Sequence, residues 1–320
     1  MTVPWQRQLL LYIRSNIPGA ETAAIHALEP ISGGFSHQTF RFHLSIGDGA
    51  RADSRRCVLK VQPEAGPLAP YDIARESRVI RCLAPSTVPV PEVILAEQSP
   101  EVIGSPFVIL EEARGEPMPF FWRTAPSDDA RVREHVRMLH RTHSLDWRSL
   151  GLGFLCDDVS RVIENEIAAC RRRAEHHGAG DNLLLKEIAA WLTENIPPPM
   201  PPSLLHGDPN PTNYLFLGNT VVAVLDWEMA ALGDPRSDLG FYAAVQTVFG
   251  GEWAVPYDEF LRLYAEEAGN MLDDMAYFEA LALLRMSAIL LGQELTGSWN
   301  LEAAWLSVRE RFATIRASWP

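Results

Sequence analysis

Leu204-Leu205-His206-Gly207-Asp208-Pro209-Asn210-Pro211-Thr212-Asn213, followed after a short apolar run by Val224-Leu225-Asp226-Trp227-Glu228, is the stretch on which the reading of this chain turns. It sets a carboxylate, Asp208, and an amide, Asn213, on one loop and a second carboxylate, Asp226, at the end of the strand that follows. The spacing H-G-D-x4-N returns the amide to the side of Asp208. Asp226 closes an apolar strand, where a lone carboxylate is costly unless it meets a cation. Two such groups across a short hairpin could share one magnesium ion and a phosphate, with a substrate hydroxyl beside Asp208. Phosphoryl transfer needs those parts: an in-line hydroxyl, neutralised phosphate charge and a carboxylate near the hydroxyl proton.

Upstream of this stretch the chain divides in two. Trp5 to Ile17 has helical spacing and stops at Pro18-Gly19. A β-rich region follows, with a glycine turn at Ser32-Gly33-Gly34-Phe35-Ser36 and a returning strand over Gln38 to Ile46. Backbone N–H groups in such a turn can approach phosphates, although it is not a full G-x-G-x-x-G. Cys57-Val58-Leu59-Lys60-Val61 is an apolar strand carrying one lysine, which must either reach solvent or find an anion. Pro70 to Leu83 reads as a helix with Glu76 on its first turns, and Val93 to Ala96 and Phe107 to Leu110 as two more strands.

Glu111 to Pro117 is polar and bears Gly and Pro, as an interlobe linker does. Beyond it Asp128 to His143, Val159 to His177 and Asn182 to Ile196 are helical patterns, and the chain is helical again from Asp238 onward. The fold class expected is α+β in two lobes: residues 1–112 β-rich, 113–119 a hinge and linker with Glu111 at its edge, 120–320 mainly helical. Phe120-Phe121-Trp122 could line a pocket, but aromatic residues at a junction are more often core.

Bulk properties narrow the function classes. With 320 residues and 47% hydrophobic content the chain can build a large core. A formal net charge of -13 opposes sequence-independent nucleic-acid binding and is compatible with a cationic small-molecule partner. Cys57, Cys82, Cys156 and Cys170 have neither C-x-x-C nor zinc spacing and read as reduced thiols. The start lacks a basic region with an apolar run, and Leu281 to Leu291 carries Arg285, so a buried helix and a cytoplasmic protein with no membrane partner are expected.

His206-Gly207-Asp208 through Asn213, then Leu225-Asp226-Trp227-Glu228, then Gly233-Asp234-Pro235-Arg236-Ser237-Asp238-Leu239, resembles the aminoglycoside phosphotransferase and choline kinase superfamily, which has the protein-kinase-like fold. The resemblance is dense over Leu204 to Leu239 and thin elsewhere. It implies ATP and magnesium as cofactors, Asp208 as catalytic base, and Asn213 and Asp226 as metal ligands. It also implies Lys60 on the α/β-phosphates paired with Glu76, and Asp238 anchoring the loop from the next helix. Ser32, Gly33, Gly34, Phe35, Ser36 and Glu111 complete the expected nucleotide site, and His37 stands where relatives often carry Asn. His206 reads as structural, and Glu228 as either a third metal or substrate group or an ion-paired carboxylate. The wording from Val224 to Pro235 resembles the branch associated with acyl-CoA dehydrogenases, which implies a hydroxyacyl-type acceptor.

Three other functions compete. An aminoglycoside or amino-alcohol kinase fits the acidic balance. A non-catalytic nucleotide-binding module would keep the fold, but it gives no reason to retain Asp208, Asn213, Asp226 and Lys60 together. A metal-dependent hydrolase would use His206-x-Asp208 as ligands and needs partners at matched spacing that the sequence lacks.

Overall fold

The structure, a computed structural model, describes residues 3–31, 36–47, 53–118, 129–250, 255–269, 272–294 and 301–320. Ser32, Gly33, Gly34 and Phe35, and the aromatic run Phe120-Phe121-Trp122, lie outside the described residues.

Five antiparallel strands, β1 (Ala24–Pro30), β2 (Gln38–Ile46), β3 (Asp53–Val61), β4 (Val93–Glu97) and β5 (Phe107–Glu111), form one sheet in the order β1-β2-β3-β5-β4. Strand alternation divides its two faces. Cys57, Leu59 and Val61 of β3 join Phe42, Leu44, Phe107 and Ile109 against Leu9 and Ile13 of helix α1 (Gln6–Asn16). Val108 and Leu110, in the opposite register, pack on Ile73, Val79, Ile80 and Leu83 of helix α2 (Ile73–Leu83). Lys60 pairs with Val108 and shares that second face, so the same alternation that buries its neighbours delivers its side chain to α2. The helix expected from Pro70 begins at Ile73, where the Asp72 carboxylate caps it by accepting from the Arg75 N–H at 2.9 Å.

The expected linker is only partly irregular. Strand β6 (Glu116–Pro117) pairs with Phe216 and Leu215, so the chain enters the second lobe's sheet at once. The rest of that lobe is α3 (Asp129–His143), α4 (Val162–His176), α5 (Leu183–Glu194), β7 (Ser203–Leu205), β8 (Tyr214–Leu217), β9 (Thr220–Val224), β10 (Ala231–Gly233), α6 (Arg236–Phe249), α7 (Tyr257–Ala268), α8 (Met275–Glu294) and α9 (Leu301–Ser318). β7 pairs with β10, and β6, β8 and β9 form a three-stranded sheet. These short ribbons flank the His206–Asn213 loop. One core runs unbroken from α2 through Leu204, Tyr214 and Trp227 to α3, α6 and α7, joining the lobes behind the site.

The expected buried helix is the centre of the second lobe and longer than its apolar run. Residues 275–293 are apolar and long enough to cross a bilayer by composition, but 94% of that window is buried inside the protein. Its Glu279 is bound by Arg311 at 2.5 and 2.6 Å, which explains how a core helix keeps a carboxylate. A Cβ on Gly240 of α6 would stand 2.3 Å from the Phe278 carbonyl oxygen, so the two helices cross backbone to backbone. Gly240→Ala is therefore expected to cost about 1–3 kcal/mol by overpacking, measurable by chemical denaturation. All four cysteines are unpaired, and Cys57 and Cys170 are buried.

Candidate active site

The loop between β7 and β8 is held from below by one buried carboxylate. Asp238, in the first turn of α6, accepts from the N–H groups of His206 at 2.8 Å and Gly207 at 2.9 Å. His143 Nε2 lies 3.1 Å from the same carboxylate and its Nδ1 lies 2.6 Å from the Tyr264 hydroxyl. Burial raises the Asp238 carboxyl, and the His143 hydrogen bond together with the electrostatic influence of His143, Arg285 and His206 outweighs it and holds the group below the usual range. Gly207 has φ +86°, and a Cβ there would meet the Met229 carbonyl at 2.3 Å, so the loop needs glycine at this turn. Asp238→Ala would strand two buried N–H groups and His143. The expected loss is about 3–5 kcal/mol of stability, read by thermal or chemical denaturation, with activity falling alongside.

His206 is structural by its bonding. Its Nε2 lies 2.8 Å from the Leu225 carbonyl and its Nδ1 accepts from the Asp208 N–H at 3.3 Å. The first contact requires Nε2 to carry the proton and the second requires a lone pair on Nδ1, so the ring is neutral with both nitrogens used. Burial lowers its pKa, in the same direction. A metal-dependent hydrolase using His206 as ligand has no lone pair left to use. His135 Nε2 holds the Pro209 carbonyl at 2.9 Å from the other side, and burial lowers this histidine to about 4.

The two lobes meet through Lys60. Its Nζ donates to Glu76 Oε1 at 2.6 Å and to Asp226 Oδ1 at 2.8 Å, linking β3, α2 and the end of β9 in one buried chain of charge. Burial alone would lower Lys60; Asp226 and then Glu76 more than offset it, and the ammonium stays charged. Burial lifts Glu76 even beside Lys60, whereas Lys60 overcomes burial at Asp226 and holds that carboxyl down. Asp226 itself sits at φ 67°, ψ 56°, a left-handed conformation that only Asn and Asp among chiral residues tolerate readily. Trp227 fixes the turn: its ring is fully buried and its indole N–H donates to the Val224 carbonyl at 3.0 Å.

Asp208 faces this group from the loop. Asn213 Nδ2 donates to its carbonyl at 2.9 Å and its carboxylate at 3.1 Å, and Asn210 Nδ2 donates to the other carboxylate oxygen. Burial, and next the negative charge of Asp226, push Asp208 up to about 7. Lys60 holds Asp226 down while the charge of Asp226 raises its half-buried neighbour Asp208, so the site is short of positive charge. With its amide nitrogen committed to Asp208, Asn213 presents its oxygen, and Asp226 has Oδ2 beyond the one that Lys60 holds. Two protein oxygens suit magnesium, which takes few carboxylates and completes an octahedron with water and phosphate oxygens. Among the described residues no cluster of three or more His, Cys, Asp or Glu could close around a metal unaided.

The remaining expected residues are spread around this centre. Glu228 Oε2 lies 3.1 Å from His37 Nδ1, and the same nitrogen is 3.0 Å from Ser36 Oγ, so Glu228 has the ion-paired setting. Glu111 ends β5 with an exposed side chain, opposite Cys57 and three pairs along from Lys60. Asn210 escaped the sequence reading although its i+2 spacing from Asp208 is a familiar Asx geometry. Asp234, whose Asp-Pro wording marks a turn and helix start, also forms a buried fork with Arg236 at 3.0 and 2.8 Å and accepts from the Met200 N–H at 2.8 Å. The D-P-R wording was the available signal for that fork.

Beside the centre lies a cleft of about 810 Å³. Leu205 and the segment from Glu228 to Leu232 form one wall, the Leu68 to Arg75 segment another, and α4 the third. Lys60, Asp208 and Asp226 are not among the residues that line this cleft, which lies next to them through Leu205 and Glu228.

Comparison with known proteins agrees with this architecture. The chain is 27% identical over 317 residues to acyl-CoA dehydrogenase family member 11 of Gallus gallus, a match taking in 89% of this chain and 39% of that protein. The chain thus spans about two fifths of that relative. A Ralstonia eutropha structure assigned by inference as an aminoglycoside phosphotransferase superposes with a TM-score of 0.71 at 21% identity, covering 97% of each chain. A thermostable mutant of aminoglycoside phosphotransferase APH(4)-Ia, in ternary complex with AMP-PNP and hygromycin B, superposes at 0.56 with 16% identity, over 97% of this chain and 98% of that one. These likenesses establish the kinase-like α+β fold. The profile of the phosphotransferase enzyme family matches residues 27–278, a span that includes Lys60, Glu76, Asp208, Asn213, Asp226 and Asp238, and the chain belongs to that family of small-molecule phosphotransferases.

Proposed function

We propose that this phosphotransferase moves the γ-phosphate of ATP, in the presence of magnesium, onto the hydroxyl of a small hydroxyacyl-type acceptor. The observation that carries the reading is the Lys60 ammonium bridging Glu76 and Asp226 at 2.6 and 2.8 Å, with the Asp208–Asn213 pair facing the same centre. In this reading residues 1–112 cover the nucleotide, 113–119 with Glu111 at their edge connect the lobes, and 120–320 hold the acceptor. Ser32, Gly33, Gly34, Phe35 and Ser36 contribute backbone N–H groups to phosphate binding by their sequence alone, and Lys60, steadied by Glu76, orients the phosphates. Asp226 and Asn213 hold magnesium, which when bound neutralises phosphate charge. Asp208 orients the acceptor hydroxyl and takes its proton as the new P–O bond forms. The APH(4)-Ia complex with AMP-PNP supports an adenine nucleotide as donor.

The acceptor class rests on the relatives named for acyl-CoA dehydrogenation, of which this chain matches 39% in the chicken protein. A hydroxyacyl acceptor suits a phosphotransferase joined to such chemistry. An aminoglycoside or amino alcohol is the second reading, favoured by the net charge of -13 and by the hygromycin B bound in the APH(4)-Ia structure. An acceptor screen with hydroxyacyl thioesters, aminoglycosides and amino alcohols, read by ADP release, separates the two. Release that depends on the hydroxyacyl compounds supports the first reading; release that depends on the amines replaces it with the second.

A further inference from the structure

We propose that the cleft beside Asp208 recognises an oxyanion on the acceptor through Arg173, so that the substrate is a small hydroxyl compound bearing a carboxylate or phosphate at the end of an apolar chain. This rests on the phosphotransferase reading and narrows its acceptor. Arg173 projects from α4 into the cleft, and its Nε is shut off from solvent with no hydrogen-bond partner among the described residues. None of the ion pairs among those residues reaches it. Glu228, on the same cleft, acts on Arg173 electrostatically but forms no ion pair with it. Arg285, also on the cleft, is already spoken for by Glu166 at 3.5 Å and the Phe241 ring at 4.2 Å. Arg75 donates to the Ala230 carbonyl at 2.6 Å and adds positive charge from the opposite wall.

Most acidic groups on the cleft have partners other than Arg173, although Glu166 Oε1 and Glu228 Oε2 accept no hydrogen bond among the described residues. Asp72 caps α2, Asp158 accepts from Ser160 at 3.0 and 2.6 Å, Glu166 takes the Ser237 hydroxyl at 2.8 Å besides Arg285, and Glu228 faces His37. Asp157 is exposed at the rim. A guanidinium without an ion pair in a largely buried wall is costly unless a ligand supplies an anion. Burial depresses Arg173 and Arg285 adds to it, while Cys170, Glu228 and Tyr71 offset only part of the shift. Its planar fork matches carboxylate or phosphate oxygens. Leu68, Leu155, Val162, Met229 and Leu232 give the same cleft an apolar side. Glu228 and Arg285 of the cleft act electrostatically on Asp208, so an acceptor whose hydroxyl approaches Asp208 can run along the apolar side to Arg173.

The test compares a straight-chain hydroxy acid, its methyl ester, and an amino alcohol and a hydroxyalkyl phosphate of the same length, on wild type, Arg173→Gln and Arg173→Lys. Arg173→Gln is expected to raise KM for the anionic acceptors about 30-fold, the worth of one charge-assisted bond, while the ester changes less than about threefold. Arg173→Lys recovers part of the loss. Whichever of acid or phosphate loses more identifies the oxyanion. Removing an unpaired buried charge should also raise the melting temperature of the ligand-free protein, so misfolding does not explain the loss. Equal KM changes for acid and ester, or a wild-type preference for the amino alcohol, would overturn the proposal. Calorimetry with the hydroxy acid alone, without nucleotide, keeps the two ideas apart. Binding that needs Arg173 with no transfer to any acceptor sinks the phosphotransferase reading and spares the anion site; transfer with Arg173-independent binding does the reverse.

Discussion

Asp208→Asn is expected to reduce phosphoryl transfer about a thousandfold while Mg-ATP binding stays measurable by calorimetry. The substitution keeps size and one acceptor oxygen, so the loop held by Asp238 and His206 keeps its frame. What it removes is the charge that takes the hydroxyl proton. The carboxyl is pushed up to about 7 by burial and by Asp226, which makes it a stronger base than an ordinary aspartate at the point where the proton must go. Turnover near the wild-type rate would take Asp208 out of the chemistry altogether.

Asp226→Asn is expected to have an effect of similar size through a different step. Asparagine tolerates the left-handed φ of 67°, so the turn after β9 can form, and the loss isolates the charge. Lys60 keeps Glu76 and an amide oxygen at position 226, but loses the negative charge at 2.8 Å that ties the sheet to the loop. The magnesium site loses its one carboxylate. Transfer should fall at least about a thousandfold, and the rise in melting temperature given by Mg-ATP should shrink to that given by ATP with a chelator. An unchanged magnesium-dependent rise would mean that the ion binds elsewhere.

Much of this arrangement was legible in the sequence because it is local. H-G-D-x4-N and the Asp226 turn lie within 21 residues, from His206 to Asp226, and their spacing alone sets the loop and hairpin. Lys60 was legible as an anomaly, a single charge in an apolar strand, and the period-2 register fixed the face it must occupy. Glu76 needed the resemblance, because nothing in helix periodicity says which strand residue it will meet.

The rest depends on contacts between distant segments. Asp238 gripping the backbone of Gly207, His143 supporting Asp238, and Arg173 turning into the cleft join residues 31 or more positions apart. Arg173 is one of three consecutive arginines on α4, and only the packing of that helix decides that Arg172 and Arg173 line the cleft and that Arg173 is the more shielded of the two. Within the expected linker, Glu116-Pro117 carries no strand signal and pairs with β8 because the hairpin offers it an edge.

The most direct test is a single-turnover reaction with γ-labelled ATP, magnesium and a hydroxyacyl acceptor, with the label followed into products. The account predicts label on the acceptor oxygen as a phosphate monoester, lost in Asp208→Asn and in the presence of a chelator. Label recovered only as orthophosphate, with the acceptor unmodified across the hydroxyacyl and amino-alcohol panel, would contradict it.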